Sequence, residues 1–259
     1  MELRLRRLEE KLERYAEALE FLGKVYEQQK ATQRQRDDEL DPDAMFAVEI
    51  AADVKLGKVA GPATAAVTIV KAFDFACPYC ERTSSVMEEL VTEYAGKVRV
   101  IYKDLVVHPE VATTAHLAAC AAAKQGKYLP FKTAIWEKGF RAYVDTREVG
   151  KLGEANLLSI AKAMKLDVKK LEADMKGDAC KTILVDDTAE LAKFKVNATP
   201  TFFINGKPIS GALPKEGFKA LIDEQLAVVT ASGVAAADYY DKVVMVKGEK
   251  TFKPARTGR

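Results

Sequence analysis

Two cysteines with two residues between them, Cys77-Pro78-Tyr79-Cys80, stand where an apolar run gives way to a helical one, and this junction constrains the fold more than any other feature of the chain. Upstream, Val67–Phe73 is rich in β-branched and apolar residues apart from Lys71, the pattern of a strand buried on both faces. Downstream, residues 77–95 carry Met87, Leu90, Val91 and Tyr94 at helical spacing, Gly96 ends the run, and residues 98–102 read as a second strand. A strand, a helix and a strand in that order form a crossover unit with a parallel strand pair. From 110 to about 176 the sequence is helical and rich in Ala, Leu and Lys, and residues 181–193 predict one more helix. Residues 201–204 and 208–210 flank Asn205-Gly206, a strong two-residue hairpin signal, and residues 218–229 close with an amphipathic helix. The predicted class is therefore α/β, in the order β-α-β, helical insertion at about 108–180, then α-β-β-α, occupying 67–232. Residues 41–66 read as a linker with a short helix, and 233–259 as a C-terminal extension whose apolar run at 243–246 adds an edge strand or packs on a neighbouring subunit.

The position of the cysteine pair matters more than its spacing. A helix N-terminus carries about half a positive charge and unpaired N–H groups, which favour thiolate over thiol. Cys77, at the exposed end, is thus the expected nucleophile. Cys80, one turn further in, is placed to attack a mixed disulfide on Cys77. Pro78 suits the first turn, where its missing N–H costs nothing. A zinc site would need two more ligands, and His108, His116, Cys120 and Cys180 form no second paired motif. No metal and no cofactor is expected. His108 reads as a helix-entry residue or as one at the site edge, and His116 as a residue on a helix surface.

Residues 73–80, Phe-Asp-Phe-Ala-Cys-Pro-Tyr-Cys, and residues 198–206, Ala-Thr-Pro-Thr-Phe-Phe-Ile-Asn-Gly, together resemble the thioredoxin-fold Dsb (disulfide-bond) family. His108-Pro109, Ala119-Cys120-Ala121 and Gln125-Gly126-Lys127-Tyr128 resemble the helical insertion of that family. The resemblance implies a protein-disulfide oxidoreductase, oxidase or isomerase, with Pro200 cis and facing the cysteines and with residue 199 pairing through its backbone with substrate. It also implies protein substrates bearing thiols or disulfides, and a redox partner protein. The Pro-Tyr dipeptide, Thr199 and an N-terminal association segment are similar to the branch holding the periplasmic isomerases and the suppressor-of-copper-sensitivity proteins. Neutral Tyr79 implies an intermediate reduction potential. Cys120 and Cys180 read as buried free cysteines or, as in some members, a second structural disulfide. One departure stands out: where the family usually has a buried acid, six residues before the first cysteine, this chain has Lys71. A lysine there stabilises thiolates or reaches solvent along its stem, leaving Asp74 or Asp104 to replace the acid. A copper(I)-binding envelope protein and a cytoplasmic disulfide reductase are the alternative functions.

Residues 1–39 hold 19 charged side chains, no proline and one glycine. Leu5, Leu8, Leu12, Tyr15, Leu19, Leu22 and Tyr26 alternate spacings of three and four, an a/d seam of about three heptads, with Arg4 and Glu9 at g and the following e. This predicts a homo-oligomer formed through residues 5–26, dimer or trimer; the alternative is a helix lying on the body of its own chain. Forty basic against 38 acidic residues exclude a nucleic-acid binder working by bulk charge. No run approaches the length of a membrane span, and the charged start has no apolar signal core. The family resemblance implies the periplasm or cell envelope, with any signal or anchor absent from this chain; the alternative is the cytoplasm. The tail from 247 carries five basic residues and implies no partner.

Overall fold

The computed structural model describes residues 2–37 and 39–255, without the side chains of 3, 8–10, 14, 17 and 31–37. The chain divides into two compact units, Met1–Asp41 with Pro254–Arg259, and Pro42–Lys253. In the first unit α1 (Glu2–Asp37) is one continuous helix. Leu5, Leu12, Tyr15, Leu19, Leu22 and Tyr26 are all exposed along it; the side chains of Leu8 and Glu9 lie outside the described residues. A helix of this length usually gains most of its stability by burying an apolar face, which these residues do not do within the single chain.

The second unit is built on a five-stranded sheet in the order β1 (Val59–Ala60), β3 (Val98–Asp104), β2 (Val67–Phe73), β4 (Thr201–Ile204), β5 (Lys207–Ser210). Only β2 and β3 run parallel, joined by the crossover helix α3 (Pro78–Glu93). Every residue of β2, β3 and β4 is buried, which explains why these strands read as nearly continuous apolar runs. The Asn205-Gly206 turn takes φ of 45° and 85°, the left-handed pair that a tight hairpin requires. A Cβ at Gly206 would lie 2.7 Å from the Phe46 carbonyl oxygen, so glycine is also needed for close approach.

After β3 comes the helical insertion: α4 (Pro109–Ala123), α5 (Tyr128–Ala134), a π-helical turn at Ile135–Phe140, α6 (Arg141–Thr146), α7 (Glu154–Ala163) and α8 (Val168–Lys176), followed by α9 (Asp178–Ala192). Cys120 of α4 and Cys180 of α9 form a disulfide. The amphipathic helix α10 (Lys215–Ser232) follows the hairpin.

Two segments are more integrated than the sequence predicts. Rather than linking, residues 42–66 form part of the compact unit: Phe46, Val48, Ile50, Asp53 and Lys58 are buried, α2 (Ala51–Leu56) is a short helix, and β1 adds to β3. The same stretch also meets the hairpin, the Phe46 N–H donating to the Gly206 carbonyl at 2.8 Å. Residues 243–246 add no edge strand; they fall in a π-helical turn, Tyr240–Val244, and the short helix that follows it. Tyr240 and Val244 are buried there, and the Tyr240 hydroxyl donates to the Val48 carbonyl at 2.7 Å.

Candidate active site

The turn between β2 and α3 is held by one carboxylate. Asp74 is wholly buried. Its Oδ1 accepts from the Ala76 N–H at 2.6 Å, and its Oδ2 from the Val107 and His108 N–H groups at 2.6 and 2.8 Å. Its carbonyl accepts from the Cys77 N–H at 3.1 Å. A second tether runs through His116, whose Nε2 accepts from the Phe75 N–H at 3.2 Å. Its Nδ1, 2.6 Å from Asp104 Oδ1, then carries the proton, as expected of a neutral imidazole with one donor and one acceptor nitrogen. This corrects the helix-surface reading: His116 is fully buried on the alanine-lined inner face of α4, and both ring nitrogens have partners. His108 is the N-cap residue of α4, half exposed, with Nδ1 3.3 Å from Asp74 Oδ2. Behind His116, Asp104 belongs to a buried ion cluster in which Lys58 Nζ lies 2.8 Å from Asp53, 2.8 Å from Asp104 and 2.6 Å from Asp187. Lys103 bridges Asp53 and Asp187 at 2.6 and 2.8 Å.

Cys77 caps α3 and Pro78 opens it; the Cys80 and Glu81 N–H groups both donate to the Cys77 carbonyl, at 3.0 and 3.2 Å. Both cysteines are free thiols. Cys77, expected at an exposed tip, is only 4 % exposed, and Cys80 is fully covered. The Cys77 thiol donates to the Thr199 carbonyl at 3.4 Å, and the Thr199–Pro200 peptide bond is cis. Folding thus brings the two sequence motifs face to face. Thr199 Oγ1 is buried there without a hydrogen-bond partner among the described residues.

The Cys77 thiol is drawn down to about 6, chiefly by the hydrogen bond that the Cys80 side chain supplies. Burial opposes this shift, and hydrogen bonds from the backbone of Cys80 and Tyr79 add to it. The helix tip therefore contributes, but less than the partner cysteine. Burial pushes the Cys80 thiol far above its ordinary value, with its bond to Cys77 acting in the same sense. Tyr79 is half exposed, with the Arg82 guanidinium 4.5 Å from its ring centre.

Lys71 does not reach solvent. It is 1 % exposed and its Nζ donates to the Cys80 carbonyl at 3.0 Å. Lys132 of α5, for which the sequence holds no signal, is equally buried; its Nζ lies 3.1 Å from both Ser84 Oγ and Glu88 Oε1 and 4.4 Å from the Tyr102 ring centre. Among the described residues no group of three or more His, Cys, Asp or Glu is placed to hold a metal ion, and no helix is long and apolar enough to cross a membrane.

A parallel β-α-β unit with an acidified thiol at the helix tip, a buried thiol one turn inward and a cis proline opposite is the arrangement of a thioredoxin-like fold. Residues 53–224 match the family model described as Thioredoxin, and the chain belongs to that family. Among solved structures it is similar to a thioredoxin-like oxidoreductase from Silicibacter pomeroyi DSS-3, 28% identical over 65% of this chain and 91% of that one, with a TM-score of 0.57. BdbD from Bacillus subtilis in its oxidised form shares the fold at 22% identity over 71% of this chain and 98% of its own, TM-score 0.61. The catalytic domain of Proteus mirabilis ScsC does so at 22% over 65% and 88%, TM-score 0.55. The curated relatives are longer proteins. One is a Na(+)/H(+) antiporter NhaA of Herminiimonas arsenicoxydans, 28% identical over 73% of this chain but 29% of that protein. Another is NhaA 1 of Salinispora arenicola, 33% identical over 65% of this chain and 24% of that protein. The chain spans about a quarter of their length.

Proposed function

We propose that the protein catalyses thiol–disulfide exchange on protein substrates, as an oxidase and isomerase, through Cys77 and Cys80. The observation that carries this reading is the unequal pair: a thiol acidified to about 6 at the helix tip against a partner whose thiol burial keeps protonated. Only such a pair gives one standing nucleophile and one reserve that is silent until needed. Cys77 thiolate attacks a substrate disulfide and forms a mixed disulfide. Cys80, losing its proton, then attacks Cys77, and the substrate leaves as a thiolate; the reverse sequence oxidises a substrate dithiol. Thr199 and Pro200 line the approach, and the Thr199 carbonyl, vacated when Cys77 ionises, is free to accept from substrate backbone. Pro78 and Tyr79 shape the rim. Stabilising the reduced form through an acid thiol favours an intermediate potential, suited to shuffling as well as oxidation.

Two further parts of the reading extend the family resemblance. The exposed a/d seam on α1 supports self-association through residues 5–26, and the Cys120–Cys180 disulfide supports an oxidising compartment, the periplasm or cell envelope. A redox partner protein resets the thiols. Reactivation of scrambled ribonuclease, together with insulin reduction, tests the activity: both are expected in the native chain and lost in Cys77→Ser. Stoichiometric copper(I) binding without turnover would instead select the carrier reading.

A further inference from the structure

The family's usual acid is missing beside Cys80, and the two carboxylates that the sequence offers in its place are both committed elsewhere. Asp74 holds the N–H groups of Ala76, Val107 and His108, and Asp104 is taken up by Lys58 and His116. What faces Cys80 instead is an amine. Lys71 lies in the middle of β2, opposite Tyr102 of β3 and Phe202 of β4 in register, and its Nζ is 3.0 Å from the Cys80 carbonyl and 5.8 Å from the Phe202 ring centre. The charged and titratable groups acting on it are Cys77 at the head of α3, Cys80 and Glu88 on α3, and Lys132 on α5.

We propose that Lys71 takes the proton of Cys80 when Cys80 resolves a mixed disulfide on Cys77, and returns it in the reverse step. The proposal rests on the reading of Cys77 and Cys80 as the exchanging pair. In the resolving step the neutral Lys71 amine accepts the Cys80 S–H proton and becomes an ammonium. The Cys80 sulfur pair forms the bond to Cys77 Sγ, the bond from Cys77 to the substrate sulfur breaks, and the substrate leaves as a thiolate. The cysteine pair is thereby oxidised by two electrons and the substrate disulfide reduced by two. An amine can serve here because burial, with help from Lys132, draws Lys71 down to about 7, leaving a substantial neutral fraction at neutral pH. Cys80, Ser84 and Glu88 follow one another at one-turn intervals along α3, and the Glu88 carboxylate, 46% exposed and 3.1 Å from Lys132, ends this polar stripe in solvent.

Ellman's reagent separates the two reactions in the full chain: the first thionitrobenzoate is released when Cys77 attacks, the second when Cys80 resolves. In the native protein the second phase is expected to speed up with pH through a limb near 7. Lys71→Met should slow that phase about 100-fold at neutral pH and move its limb above 9, while leaving the first phase present. Lys71→Arg, which keeps the charge but cannot act as a base, should not restore it. A native profile with no limb near 7 overturns the proposal whether or not the variants fold. So does a Lys71→Met chain with the native second phase, or a Lys71→Arg chain that recovers it, which would make charge alone sufficient. Failure of the underlying reading looks different: a fast first phase that survives Cys77→Ser.

Discussion

Lys71 should cost the fold stability, and by an amount the structure lets one work out. Its amine is 1 % exposed, and burial, the leading influence, pulls it from 10.5 to about 7. At 1.36 kcal/mol per pKa unit this is about 5 kcal/mol of unfavourable free energy for holding the ammonium in place. Because the folded chain binds this proton less tightly than the unfolded chain, the full penalty is present below about 7 and fades as pH rises toward 10.5. Lys71→Met keeps the length of the stem and removes the amine; it also removes the hydrogen bond to the Cys80 carbonyl, worth about 1–2 kcal/mol. The variant should therefore be about 3 kcal/mol more stable than the native chain at pH 6. By pH 9 that advantage should have narrowed by about 2–3 kcal/mol. Urea unfolding of the oxidised chain at the two pH values is the suitable assay, since neither active-site thiol then titrates and the thiolate attractions that hold the Lys71 value up are gone. A methionine variant no more stable than the native chain at pH 6, or a gap that does not close with rising pH, refutes the reasoning.

Other perturbations read out other parts of the molecule. Cys120→Ala with Cys180→Ala should cost about 2–4 kcal/mol in urea unfolding while leaving the acidity of Cys77, measured by alkylation rate against pH, in place. Asp74→Ala strips the acceptor from three backbone N–H groups and should cost about 2–4 kcal/mol by thermal unfolding; the freed loop should also let the Cys77 alkylation midpoint drift up from about 6. Asp187→Ala removes a partner from both Lys58 and Lys103 and should destabilise the chain by about 3–5 kcal/mol, whereas loss of a surface pair such as Lys24–Glu20, both well exposed, should be hard to detect by the same measurement.

What the sequence reveals here follows the range of the interactions involved. The β-α-β unit, the hairpin and the closing helix are legible because each is specified locally, by period, by turn residues or by a proline at a helix start. The facing of Cys77 and Thr199 is legible only through the family resemblance, since no local signal joins positions 122 residues apart. The buried ion cluster is illegible for the opposite reason: Lys58, Lys103, Asp53 and Asp187 each look like ordinary surface residues, Asp104 reads only as a stand-in for the family's acid, and only their mutual pairing, contributed by α2, β3, α9 and the segment before β1, lets them be buried. His116 is hidden on the same grounds: a polar residue reads as a surface one while its two partners, the Phe75 N–H and Asp104, are out of sight. Lys71 is the instructive exception. It breaks the apolar run of β2 and so is visible at once, yet the usual explanation for such a break, a long stem reaching water, fails in a central strand covered on both faces. A charge that the fold could have avoided with any aliphatic side chain, kept against the carbonyl of the resolving cysteine, is a local conflict of the kind that concentrates at functional sites.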